Sequence, residues 1–260
     1  MAITISKLHQ MMSDQDPITM LTCTDASFAS IMEAAGLDSI LIGDSLGMVV
    51  QGHNTTIPVT VEQIAYHLKC VSRGCQSPFI VADLPYGTYN TLDDANRNSC
   101  ILMQEGAHMV KLEGGSEFCS TIEFLATKGI PVCAHIGLTP QSFHMTGSYK
   151  IQGQSDEQIN RLLKDAKSIE NAGALMMVLE LMPTETARQI TDSVSIPTIG
   201  IGAGPFTNGQ VLVFQDLLGM QKDFKPKFLR HYVSGECIIT EAINQFHKDV
   251  IQSDFPSIQE

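Results

Sequence analysis

Basic residues are scarce in this chain of 260, where 16 Lys and Arg stand against 28 Asp and Glu for a net charge of -12. That deficit argues against broad binding to a phosphate backbone, which needs clustered cations, so nucleic acid is not an expected partner. One local cationic spot for a small anion stays open, because net charge constrains only the long-range field, and Lys111 is the candidate. Long apolar runs are also missing. Nothing approaches the ~20 apolar residues of a membrane span, and Met1 to Gln10 lacks the apolar core of a signal peptide. We therefore expect a cytoplasmic protein with no membrane partner. The seven cysteines, at 23, 70, 75, 100, 119, 133 and 237, are odd in number, scattered and never spaced C-x-x-C. That favours neither a disulfide framework nor a zinc site, and reads as reduced, mostly buried thiols.

What is present is a regular alternation. A hydrophobic content of 43% suits one α/β domain over residues 1–260, with no linker, repeat or low-complexity segment to divide it. Strands are expected at Ile18–Cys23, Ser39–Ile42, Pro78–Asp83, Ala107–Glu113, Ile130–His135, Ala174–Glu180, Ile196–Ile201 and Gly209–Phe214. Helical patterns separate them, and eight such units favour a closed (β/α)8 TIM barrel over an open doubly wound sheet. Ile5, Leu8 and Met12 lie at helical spacing behind a Thr4 cap, so a short N-terminal helix closes one barrel end. The helix capped by Thr60 presents Ile64, Tyr66, Leu68 and Val71 on its apolar face and ends at Gly74. Tyr86 and Tyr89 sit in a loop that can wall a pocket. Residues 137–153 show no period and read as a long functional loop.

Three strands end in acids: Asp44 follows the second, Asp83 ends the third and Glu113 ends the fourth. In a parallel barrel all such ends meet on one face. Two Asp and one Glu from rigid strands suit a hard divalent ion, Mg2+ above all. The alternative is that acids merely end strands and cap helices. Lys111 lies two residues before Glu113, so alternation turns both to the lumen, where a lysine needs an anion. That anion is a substrate or a neighbouring acid, and a Schiff-base role is the sharper alternative. Glu180 closes a nearly all-apolar strand, where desolvation raises a carboxyl pKa and suits it to general-base work, unless it is a rim carboxylate paired with a cation. His135 is a ligand, a donor to substrate oxygen, or a hydrogen-bonded strand-end histidine. Gly200-Ile-Gly-Ala-Gly204 is either a phosphate-holding turn or a close backbone approach, and it is not a dinucleotide fingerprint.

Along nearly its whole length the chain resembles the ketopantoate hydroxymethyltransferase family. The resemblance rests on Leu41-Ile-Gly-Asp-Ser-Leu-Gly-Met-Val-Val-Gln-Gly-His53, Pro58-Val-Thr-Val61, Ala82-Asp-Leu-Pro85, Val110-Lys-Leu-Glu-Gly-Gly115, His135-Ile-Gly-Leu-Thr-Pro-Gln141, Leu179-Glu180 and Ile199-Gly-Ile-Gly-Ala-Gly204. It implies a barrel of the phosphoenolpyruvate/pyruvate-domain type that moves a one-carbon unit from 5,10-methylenetetrahydrofolate to 3-methyl-2-oxobutanoate, giving 2-dehydropantoate for pantothenate synthesis. It further implies Asp44, Asp83 and Glu113 around Mg2+, Ser45 and Lys111 on the 2-oxo acid, Glu180 as base, and a homo-oligomer, often a decamer. Two departures are local: Cys23-Thr24 where Ala and Tyr are usual, and Thr207-Asn208-Gly209 where Cys-Asp-Gly is usual. Both are expected near the active rim, where they bear on folate contacts. Two rivals remain at this stage, a Mg2+-dependent C–C lyase of another 2-oxo acid and a catalytically silent metabolite-binding protein.

Overall fold

The computed structural model describes residues 2–147, 150–221 and 226–257. The chain divides into two compact units, Met1–Leu212 and Val213–Glu260. In the first, strands β1 (Ile18–Thr22), β2 (Ser39–Ile42), β3 (Phe79–Asp83), β4 (Met109–Glu113), β5 (Val132–Gly137), β6 (Met176–Glu180), β7 (Thr198–Ile201) and β8 (Gly209–Leu212) form a closed barrel in chain order. Every neighbouring pair is parallel, and β1 seals the ring against β8.

The helices of this unit are α1 (Ile5–Asp14), α2 (Ala26–Ala34), α3 (Leu46–Val49), α4 (Val61–Gly74), α5 (Leu92–Gln104), α6 (Cys119–Thr127), α7 (Phe143–Thr146), α8 (Asp156–Asn171) and α9 (Thr184–Ser193). Their starts are written in the sequence. Thr4, Asp25, Thr60, Thr91 and Ser155 each accept a backbone N–H of the first turn, a cap that contributes about 1 kcal/mol. Thr60 and Gln63 complete a reciprocal capping box.

The face of α4 differs from expectation at one position. Ile64, Leu68 and Val71 are buried, whereas Tyr66 is 65% exposed, because two residues advance a helix by more than half a turn. The lower lumen is filled by Met20, Leu41, Val81, Met109, Met176 and Ile199, with Leu8 and Met11 of α1 packed into the same cluster. Ile3 N donates to Ser77 O at 2.7 Å and the His9 ring meets Leu175 O at 3.1 Å. Both contacts precede strands, so α1 closes the N-terminal end of the barrel.

Residues 137–153 are more ordered than the absence of a period implied, holding a 3-10 turn at Pro140–Ser142 and then α7. Ser148 and Tyr149 of that stretch lie outside the described residues. The eighth strand stops at Leu212, and Phe214, expected as its last residue, instead opens helix α10 (Phe214–Leu217). The second unit contains α10 and α11 (Gly235–Ile251). Within it Phe246 and Phe255 meet edge to face at 5.5 Å. Among the described residues no helix is long and apolar enough to cross a membrane.

Candidate active site

The strands that fill the lumen with apolar side chains change character two residues further along. Val81 is followed on its own face by Asp83, Met109 by Lys111 and Glu113, Cys133 by His135, and Val178 by Glu180. Register then brings these side chains together: Asp83 pairs with Lys111 across β3 and β4, and Glu113 pairs with His135 across β4 and β5. Lys111 Nζ lies 3.0 Å from Asp83 Oδ1, with both side chains almost fully buried. His135 reaches two acids, Glu113 Oε1 at 3.4 Å through Nδ1 and Glu180 Oε2 at 3.2 Å through Nε2.

Asp44 joins from just beyond β2. Its backbone N–H donates to Asp83 Oδ2 at 3.0 Å, and its carboxylate is 4% exposed. Ser45 follows at the start of α3 and spends no side-chain hydrogen bond on capping it. Gly43 keeps this corner open, since a Cβ there would stand 3.0 Å from Ser45 Oγ and 3.6 Å from Asp83 Oδ2.

Burial is the dominant influence on these charges. It pushes the Asp44 carboxyl well above the usual carboxylate range, and the neighbouring Asp83 and Glu113 charges push the same way. On Glu113 burial also acts upward, but His135, Lys111 and the Gln141 N–H outweigh it and hold the carboxyl below its ordinary value. Burial opposes the Lys111 charge, yet Asp83, Glu113 and Asp44 overcome that and raise its pKa, so the ammonium stays protonated. Burial and Lys111 oppose protonation of His135, and the Glu113 and Glu180 contacts more than reverse them, raising its pKa to about 9. Glu180 differs from the other acids in keeping 20% of its side chain exposed. The full desolvation expected of an apolar strand is therefore incomplete at its last residue.

The donor set fits a hard cation better than it fits itself. Three buried carboxylates crowd one ammonium, and apart from the Lys111 ion pair the buried Asp83 Oδ1 has no hydrogen-bond donor. Among the described residues no three His, Cys, Asp or Glu groups close on one point as a finished metal centre. Mg2+ does not require one, because it keeps several waters through which neighbouring carboxylates can hold it and leaves positions for substrate oxygens.

Two further residues gained roles only from the structure. Gln141 donates from Nε2 to Asp44 Oδ2 at 2.8 Å and from its backbone to Glu113 Oε2 at 2.9 Å. Tyr89, expected only as pocket wall, is buried and donates to Gln141 Oε1 at 2.6 Å. Gln141 stands in a strand-to-helix segment after β5, where polar residues are common, and its spacing carries no periodic signal. Two expectations about glycine and asparagine resolve structurally. Gly204, at φ +78°, lets its loop approach α9, since a Cβ would fall 2.4 Å from Thr184 Oγ1. Asn208 lies at the opposite barrel end from the acids: its Oδ1 accepts Thr198 N at 2.9 Å and its carbonyl accepts Ile18 N at 2.9 Å, both at strand starts. Cys23 does follow a strand end, buried, with its thiol on Asp25 O at 3.4 Å.

Known proteins agree with this architecture. Residues 2–258 match the family model described as ketopantoate hydroxymethyltransferase. The 3-methyl-2-oxobutanoate hydroxymethyltransferase of Paraburkholderia phymatum is 48% identical over 98% of this chain and 94% of its own. That of Nitrosospira multiformis is 47% identical over 98% of both chains. Among solved structures, phosphonopyruvate hydrolase in complex with oxalate and Mg++ superposes with a TM-score of 0.67 at 11% identity, covering 99% of this chain and 93% of that one. A 2,3-dimethylmalate lyase of the PEP mutase/isocitrate lyase superfamily gives 0.59 at 16% identity, covering 97% and 100%. At such identities the structural likeness speaks for the barrel alone. The sequence matches speak for more: spanning the whole barrel and every strand end that carries an acid, they place this chain in the ketopantoate hydroxymethyltransferase family.

Proposed function

We propose that this chain transfers a hydroxymethyl group from 5,10-methylenetetrahydrofolate to 3-methyl-2-oxobutanoate, forming 2-dehydropantoate. The observation that carries the reading is the separation of roles within one cluster. Three buried acids surround Lys111, while Glu180 stands apart, partly exposed, with His135 between. Asp44, Asp83 and Glu113 would hold Mg2+, which when bound supplies positive charge against the carboxylate and 2-oxo oxygens of the substrate.

The chain's own groups account for the remaining work. Lys111, kept charged by its acid neighbours, meets the oxo acid electrostatically; an imine would need the neutral amine. Ser45, whose side chain makes no capping hydrogen bond to α3, would touch the same substrate. Glu180 removes the proton from C3, and His135 fixes the carboxylate for that transfer. Acids held by a cation are poor bases, so the duty falls to the acid outside the trio. The C3 carbanion then bonds to the folate-borne methylene carbon as one of its two C–N bonds breaks, water supplies the hydroxyl oxygen as the other breaks, and tetrahydrofolate leaves with its two nitrogens protonated by the proton from C3 and one from water. The match over 2–258 supports treating 1–260 as one functional domain. The family resemblance supports a cytoplasmic homo-oligomer, a homodecamer by analogy.

The test isolates proton removal. In deuterated water with Mg2+ and no folate, the enzyme is expected to exchange the C3 hydrogen of 3-methyl-2-oxobutanoate, read by proton NMR as loss of the methine signal. Chelator stops the exchange, and Glu180→Gln lowers it by about 10²-fold or more with Mg2+ affinity kept within a few fold. Full-rate exchange in Glu180→Gln would remove Glu180 as the base.

A further inference from the structure

One buried residue outside the strands touches two of the three acids, Asp44 through its side-chain amide and Glu113 through its backbone N–H. Gln141, 5% exposed, sits in the 3-10 turn after β5. Its Nε2 donates to Asp44 Oδ2 at 2.8 Å and to Leu84 O at 3.1 Å, while its backbone N–H donates to Glu113 Oε2 at 2.9 Å. Leu84 directly follows Asp83, so this one residue is tied to all three acid-bearing strand ends.

The direction of that amide is fixed by chemistry. Both partners of Nε2 accept only, and Oε1 receives the Tyr89 hydroxyl at 2.6 Å. A flipped amide would set its oxygen against the Asp44 carboxylate and the Leu84 carbonyl, both acceptors. Tyr89 Oη accepts Glu113 N–H at 3.3 Å and has two acceptors for its single hydrogen, Gln141 Oε1 at 2.6 Å and Glu113 O at 3.1 Å, of which Gln141 is the nearer. The network is complete and 4% exposed at Tyr89, the condition under which buried polar groups hold one geometry.

We propose that Gln141 is a positioning residue that sets Asp44 and Glu113 together for the divalent ion, with Tyr89 holding its amide in the working direction. This rests on the reading of those acids as the ion's ligands. The consequence is that placing the segment after β5 and placing the carboxylates are one event.

The experiment is a double-mutant cycle on the full chain, titrating Mg2+ alone by calorimetry, with melting temperature and circular dichroism recorded for each variant. Gln141→Met keeps the length and the backbone N–H to Glu113 but removes the side-chain donors to Asp44 and Leu84 O, and is expected to weaken Mg2+ binding about 10–100-fold, as loss of residues that orient ligands does. Tyr89→Phe, which leaves Gln141 in place, is expected to weaken it less. Because Tyr89 acts through Gln141, adding Tyr89→Phe to Gln141→Met should cost no further Mg2+ affinity. A purely structural role would instead lower melting temperatures additively and leave the affinity of folded protein unchanged, which overturns the proposal. Should Gln141→Met not fold, an unchanged affinity in Tyr89→Phe overturns it equally. A parent chain that binds no Mg2+ would overturn the earlier reading of the acids along with this one, and the two failures are told apart by the parent titration.

Discussion

His135 stands between two acids of different duty, with Nε2 3.2 Å from Glu180 Oε2 and Nδ1 3.4 Å from Glu113 Oε1. The ring thereby ties the orientation of the proposed base to a member of the proposed ion-binding trio. His135→Gln keeps approximate size and hydrogen bonding but cannot reach both acids along one rigid ring. We expect it to slow C3 exchange about tenfold to a hundredfold, the range for removing a group that orients a catalytic one, with circular dichroism unchanged. Exchange at the parent rate would mean that Glu180 is placed by other contacts.

Lys111 is expected to bind rather than bond. Lys111→Ala should raise KM for the oxo acid at least about tenfold, equivalent to ~1.4 kcal/mol. Borohydride added to the parent with substrate should trap nothing on Lys111, because a charged ammonium is no nucleophile. A substrate-sized mass increase at Lys111 after reduction would establish a Schiff base instead.

His108 makes folding sensitive to acid away from the chemistry. Its Nδ1 accepts Ile80 N–H at 3.0 Å, which requires the ring nitrogen to be bare, and burial lowers its pKa below 6.5. The unfolded chain therefore takes up this proton first as pH falls. The contribution is complete above pH about 6.5 and lost progressively below it. Because His135, with its raised pKa, gains stability over part of the same range, the reading is the difference: between pH 7.5 and 5.5 the urea midpoint of His108→Asn should fall less, or rise more, than that of the parent. Equal slopes would assign the acid sensitivity elsewhere.

Asn208 is a stability residue in this geometry. Asn208→Ala removes the acceptor of Thr198 N–H and Oγ–H and should cost about 1–3 kcal/mol in urea unfolding. Asn208→Asp keeps an acceptor and should cost less. Neither should change KM for methylenetetrahydrofolate, since the residue lies at the end of the barrel away from the acids. A folate KM that shifts in Asn208→Asp, with stability unchanged, would place folate contacts there after all.

The barrel and its acid-bearing strand ends could be read along the chain because they depend on local periodicity. Apolar runs stopping at Asp83, Glu113 and Glu180, with Ser or Thr caps opening the helices between, encode parallel strands with chemistry at one end. Alternation alone put Lys111 and Glu113 on one face. Long motifs from Leu41 to Gly204 added the family, which the match over 2–258 bears out. The residues that escaped are those set by closure of the ring. Tyr66 has the apolar character of a core residue, but its phase on α4 turns it outward and it is 65% exposed. The sequence around Asn208 suggests the active rim, whereas the register of β8 against β1 and β7 shows that it precedes the strands. Gln141 and Tyr89 meet Asp44 and Glu113 across separations of 24 to 97 residues. No local pattern encodes such a meeting, because hydrogen bonds between distant loops exist only once eight strands have closed and fixed the distances between their ends.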